Sequence, residues 1–123
     1  MDYAYKRVGT EGFEATIEAV ERSVRDHGFV IEQFHDISAR LEAKGFPIRQ
    51  LVIFEIGPAQ ESTDDMLRLL MPCRINVYEE GDEVVVAALR PTLFKAVFPE
   101  HELDALAQKI EADVVRVVDD SVA

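Results

Sequence analysis

The chain has a single cysteine, Cys73, so no disulfide forms within it, and tryptophan is absent. Glycine and proline number only 6 and 5, and nothing reads as a linker, an internal repeat or a low-complexity segment. No Gly-rich phosphate loop, Ser-His-Asp order or Gly-x-Ser-x-Gly elbow occurs. The longest apolar run, Val84 to Leu89, is far too short to span a bilayer. Met1 to Lys6 has no apolar core of a signal peptide, and the expected location is cytoplasmic. Basic residues are also scarce: 13 against 24 acids, a formal net charge of −11. Such a chain repels phosphate backbones and anionic lipid at long range, so neither nucleic acid nor membrane is expected as a partner. The acidity reads most simply as a solvated surface. A cationic partner is the sharper alternative, and no motif identifies one.

What is present suits one globular unit. Of 123 residues, 48% are hydrophobic and 30% charged. A chain of this length fits one domain over residues 1–123, with its core at about 5–117. It buries roughly two-thirds of its unfolded surface, so neither disulfide nor metal is needed for folding.

Tyr3 to Val8 reads as a first strand, after which Gly9-Thr10 opens a helix. Phe13, Ile17, Val20 and Val24 recur at helical spacing, and Gly28 suits the position after the helix end. Phe29 to His35 is the second strand. Asp36 or Ser38 caps a short helix through Leu41 and Ala43, stopped at Lys44-Gly45. Gln50 to Ile56 is the third strand, ended by Gly57-Pro58. Ser62 with Asp65 approximates a capping box for a helix ending before Pro72. Arg74 to Glu79 and Glu83 to Leu89 flank Glu80-Gly81-Asp82 as a hairpin. The last helix carries Leu103, Leu106, Ile110, Val114 and Val117 on one face, and Asp119 to Ala123 reads as a frayed tail. Two long helices, each with one apolar face, imply an α+β fold: an antiparallel sheet with both helices on one side.

The ordered segments Gly12-Phe13-Glu14, His27-Gly28-Phe29, Asp36-Ile37, Glu42-Ala43-Lys44-Gly45, Leu51-Val52-Ile53-Phe54 and Met71-Pro72-Cys73-Arg74-Ile75-Asn76-Val77-Tyr78-Glu79 carry a resemblance. From about Tyr5 to Val117 the chain resembles the bacterial and archaeal domain-of-unknown-function family 302. The resemblance implies a TATA-binding-protein-like β-α-β(4)-α architecture, a curved antiparallel sheet backed by helices, and a homodimer. It implies a fold and no reaction, and the acidic charge argues against DNA binding. Ala59 to Thr63 departs from the family pattern, so that segment is given no ligand role.

Cys73 follows a helix C-terminus, where the dipole disfavours a thiolate. It shares parity with Ile75 and Val77, as a structural cysteine would; the alternative is a thiol-based sulfur or metal carrier, or a redox protein. If the helices cover Val30, Phe34, Ile75 and Val77, the opposite face shows Ile31, Gln33 and His35 with Arg74, Asn76 and Tyr78. Leu51, Ile53 and Glu55 join them if the third strand has the right parity. Apolar residues with a few convergent polar groups suit a small ligand, with Arg74 holding a carboxylate or phosphate and Tyr78 and His35 orienting it. The same face would equally serve as a dimer interface or a solvated surface.

The histidines lack metal-ligand spacing. His27 reads as a helix C-terminal residue and His101 as exposed, while a metal site from His35, Glu55 and Cys73 needs tertiary convergence. No cofactor or metal is implied. Adjacent acids such as Glu79-Glu80 and Asp64-Asp65 read as surface rather than catalytic pairs. The expected function is a non-catalytic small-molecule binding or sensing module acting as a homodimer, its ligand residues Gln33, His35, Glu55, Arg74, Asn76 and Tyr78. The alternatives are the Cys73 thiol protein and a structural dimerisation module.

Overall fold

A computed structural model describes residues 3–59, 71–93 and 104–123. In chain order these form β1 (Ala4–Gly9), α1 (Phe13–Asp26), β2 (Phe29–Asp36), α2 (Ile37–Ala43), β3 (Leu51–Pro58), β4 (Cys73–Glu80), β5 (Glu83–Leu89), a 3-10 turn at Pro91–Leu93 and α3 (Asp104–Ser121). The five strands make one antiparallel sheet in the order β1-β5-β4-β3-β2. The capping box at Ser62 and Asp65, with Leu103 and His101, lies outside the described residues.

Helix α1 forms where its apolar stripe predicts, with Thr16, Ile17, Val20, Ser23 and Val24 buried. It starts at Phe13 rather than at Gly9-Thr10, because Gly9 is still in β1, opposite Val84. At its far end His27 caps the helix and Gly28 takes a φ of +82°, a left-handed conformation that costs glycine little. Helices α1 and α3 pack together over one face of the sheet, and Ser23 Oγ donates to the Val117 carbonyl at 2.7 Å across their buried contact. Beneath them Val52, Phe54 and Ile56 of β3, Ile75 and Val77 of β4 and Val86 of β5 are almost fully buried. Each such side chain contributes about 1.5–3 kcal/mol before entropy is counted. The β4–β5 hairpin closes through Gly81-Asp82, with positive φ at Gly81 alone, which is the pattern of a type II′ turn.

The structure corrects three further expectations. The strand after α2 runs through Gly57-Pro58 rather than stopping before them, since both pair with β2. The C-terminal tail is not frayed. Asp119 accepts Tyr5 Oη at 2.6 Å and Arg7 Nη1 at 2.8 Å, Asp120 meets His27 Nε2 at 2.6 Å, and Ser121 and Val122 are buried. The third correction concerns β2. Ile31 pairs with Ile56 and Gln33 with Glu55, which leaves Glu32 as an extra, bulged residue. A bulge inverts the alternation of every residue on one side of it. Ile31 therefore packs against the core and Val30 lies exposed on the opposite face, the reverse of simple alternation. Phe34, beyond the bulge, keeps the helix-side parity expected of it, opposite Phe54.

Candidate functional site

The sheet face away from α1 and α3 carries all six expected ligand residues, because cross-strand partners share a face. Gln33, Glu55 and Arg74 form one row across β2, β3 and β4. His35, Ile53, Asn76 and Ala87 form the next, and Leu51, Tyr78 and Val85 a third. Leu51, Ile53 and Glu55 thus have the parity that the sequence left open.

Within these rows the six residues divide into two groups. Glu55 is the hub of a charged line. Its Oε2 lies 3.1 Å from His35 Nε2, and its Oε1 accepts Arg74 Nε at 3.3 Å and meets Arg74 Nη2 at 3.2 Å. Arg40 Nη2 approaches His35 Nδ1 at 2.8 Å. A guanidinium can only donate, so Nδ1 is the acceptor and the proton sits on Nε2, which donates to Glu55. These hydrogen bonds, from His35 first and then Arg74, hold the Glu55 carboxyl below its ordinary value of 4.5 against the opposing effect of desolvation. Arg40 belongs to this line because Asp36 caps α2, accepting Ala39 N at 2.9 Å, while Ser38 Oγ accepts Leu51 N at 3.1 Å and pins the helix to β3.

The second group lines a concavity. Asn76 and Tyr78, with Leu51 and Ile53 beside them on β3, border a pocket of about 480 Å³ whose remaining wall is Ile48, Arg49, Gln50 and Glu79. Arg49 Nη1 donates to the Gly81 carbonyl at 2.6 Å and Gln50 N to Glu79 Oε1 at 3.0 Å, which ties this wall to the hairpin. Asn76 Oδ1 is buried and has no hydrogen-bond partner among the described residues. The structure thus brings Asn76 and Tyr78 into the pocket and leaves Gln33, His35, Glu55 and Arg74 along its neighbouring rows. Arg40, Ile48 and Arg49 were not anticipated. They come from α2 and the segment after it, where no strand alternation marks a side chain's direction.

Because the folded-state pKa of Glu55 is depressed, its contribution to stability is present above the unfolded carboxyl value and is lost as pH falls through the lower folded value. Glu55→Gln is therefore expected to be less stable than wild type at neutral pH, with the gap closing in acid. Urea denaturation across an acid pH series reads this directly, and a gap independent of pH contradicts the charged role.

Cys73 lies on the other side of the sheet, in the core, and burial pushes its thiol up to about 11. Its Sγ is 3.7 Å from Met71 Sδ. Arg74 points to the opposite face and does not stabilise a thiolate there. Nor can Cys73 share an ion with His35 and Glu55, which lie across the sheet from it. A thiol held protonated and buried is expected to resist maleimide or disulfide reagents in the folded protein and to react at the rate of unfolding. Rapid native labelling at neutral pH contradicts this.

No curated protein matches the chain. The crystal structure of an uncharacterized conserved protein DUF302 from Bacillus stearothermophilus superposes with a TM-score of 0.88 over 100% of both chains at 22% identity, a likeness of fold alone. The sequence profile of the family described as domain of unknown function DUF302 matches residues 5–121. The chain belongs to that family.

Proposed function

We propose that the protein is a non-catalytic small-molecule binding or sensing module that acts as a homodimer, with its ligand on the sheet face away from the long helices. The observation that carries this reading is the pocket of about 480 Å³ where apolar Leu51, Ile53 and Ile48 meet the amide of Asn76 and the phenol of Tyr78. This size and mixture suit a small organic ligand with one or two polar groups. Asn76 and Tyr78 orient it. Arg74, two residues along β4 from Asn76 and so about 7 Å away, is the residue for an anionic tail. Its side chain is 59% exposed and engages Glu55 through Nε and Nη2.

Binding is favoured over acid–base catalysis because the one carboxylate in the rows, Glu55, is held ionised by His35 and Arg74 and is a weak base at neutral pH. Binding is favoured over thiol chemistry by the burial of Cys73. The homodimer is supported by Val8 and Leu89, large apolar side chains left exposed on this same face. A second copy there would cover them and close the pocket.

Native mass spectrometry of the purified protein tests both parts. The expected spectrum is a dimer carrying a non-covalent mass that leaves on denaturation and is missing from Ile53→Arg. A dimer that never carries a passenger, even after incubation with cell metabolites, favours the structural dimerisation module. A monomer overturns the dimer.

A further inference from the structure

We propose a second binding site on the helix side of the sheet: the groove between α1, α2 and strands β2 and β3 takes a small organic cation with an apolar body, such as an alkyl- or arylammonium ion. The cavity measures about 540 Å³, within the range of small-molecule sites. Its apolar floor is Phe13, Ile17, Phe34 and Val52, and its rim carries Glu14, Glu21, Asp36 and Glu42. Among the described residues that line it there is no lysine, arginine or histidine.

Several carboxylates of the molecule are neutralised by a neighbour, and the rim carboxylates are not among them. Glu55, Glu111, Asp113, Asp119 and Asp120 each meet a basic side chain. Among the described residues, the side chains of Glu14, Glu21 and Glu42 have neither a hydrogen-bond nor an ion-pair partner. Asp36 uses Oδ1 to cap α2 and accept Ser38 Oγ, which orients the carboxylate without neutralising it. Four acids of one sign around one concavity focus a negative potential into it, and the net charge of −11 adds to that field.

The floor supplies an independent reason for a cation. Phe34 is a large aromatic left 47% exposed, yet its ring is not loose. It packs on Phe54 with centroids 5.1 Å apart and planes inclined at 59°. A buttressed ring with an open face attracts a cation through its quadrupole, and Phe13 provides a second ring in the same groove. An anionic ligand would meet four carboxylates and no cationic side chain among the described lining residues, and a neutral apolar one would leave four charges uncompensated. The inference does not rest on the pocket at Asn76 and Tyr78. Ile48 and Gln50 border both cavities, so the test leaves them unchanged.

The test compares three probes of one shape on the isotope-labelled full chain: 4-phenylbutylammonium, 4-phenylbutanol and 4-phenylbutyrate, each followed by amide chemical shifts at low salt. The cation is expected to shift the amides of Phe13, Phe34 and Glu42 saturably. The alcohol should bind there roughly tenfold more weakly, and the carboxylate not at all. The triple variant Glu14→Gln, Glu21→Gln, Glu42→Gln should lower the cation's affinity to that of the alcohol. A control with equal charge removed at the β4–β5 turn, Glu80→Gln, Asp82→Asn, Glu83→Gln, should leave it unchanged. Three results overturn the proposal: no saturable shift in the groove with the cation, equal affinity for cation and alcohol, or equal weakening by the rim and control variants. The last would mean that only the diffuse charge of the chain is at work.

Discussion

Phe54→Ala is expected to destabilise the protein by about 3–5 kcal/mol, much of the stability that a unit of this size possesses. Phe54 is fully buried at the centre of β3, among the residues that α1 and α3 cover. Truncation removes the ring's transfer energy and leaves a cavity. The neighbours cannot close it, because the strands on both sides are held in register. It also removes the support of Phe34, whose ring rests on Phe54. Urea denaturation is the measurement, with a lower midpoint and an unchanged slope as the expected result. Phe54→Leu keeps much of the volume and should recover more than half of the loss. A cost for Phe54→Ala below about 1 kcal/mol would mean that this side chain is not a core element.

The second large effect distinguishes two adjacent residues. Ile31→Asp is expected to cost about 3 kcal/mol or more, because it drives a carboxylate into the core packing. Val30→Asp should stay within about 0.5 kcal/mol, since that side chain is on the exposed face. A β2 of regular alternation makes the opposite prediction. The pair therefore reads the bulge at Glu32 through stability alone, without any further structure. Similar costs at the two positions would contradict the register in which Ile31 faces Ile56 and Gln33 faces Glu55.

These two residues also show where the sequence was legible. The apolar stripe of α1, the β4–β5 hairpin and the inward parity of Cys73, Ile75 and Val77 follow from periods of 3.6 and 2, which local sequence expresses directly. Phe34, Gln33 and His35 also fell on their expected faces, because the bulge lies before them. Val30 and Ile31 did not. A bulge is decided by pairing with β3, which no local period expresses. The extra residue's carboxylate lies over Gly57, where an added Cβ would make that flexible side chain shift.

The C-terminal residues were misread for a related reason. Asp119 and Asp120 are polar in sequence and read as fraying, yet their partners Tyr5, Arg7 and His27 lie about a hundred residues away and are brought together only by the fold. The candidate pocket was half legible. Alternation placed Asn76 and Tyr78 on the right face, whereas Ile48 and Arg49 come from the α2–β3 connection, which has no period to read.

The most direct test of the pocket at Asn76 and Tyr78 is a small-molecule library screened by thermal stabilisation against wild type and Ile53→Arg in parallel. A ligand at a hundredfold excess over its Kd stabilises the folded state by about 2.7 kcal/mol, a readily measured rise in Tm. The account predicts a chemically related group of hits that stabilise wild type, lose their effect in Ile53→Arg and weaken in Asn76→Ala and Tyr78→Phe. Hits that stabilise Ile53→Arg as well as wild type, or a library without any stabilising compound, would contradict it.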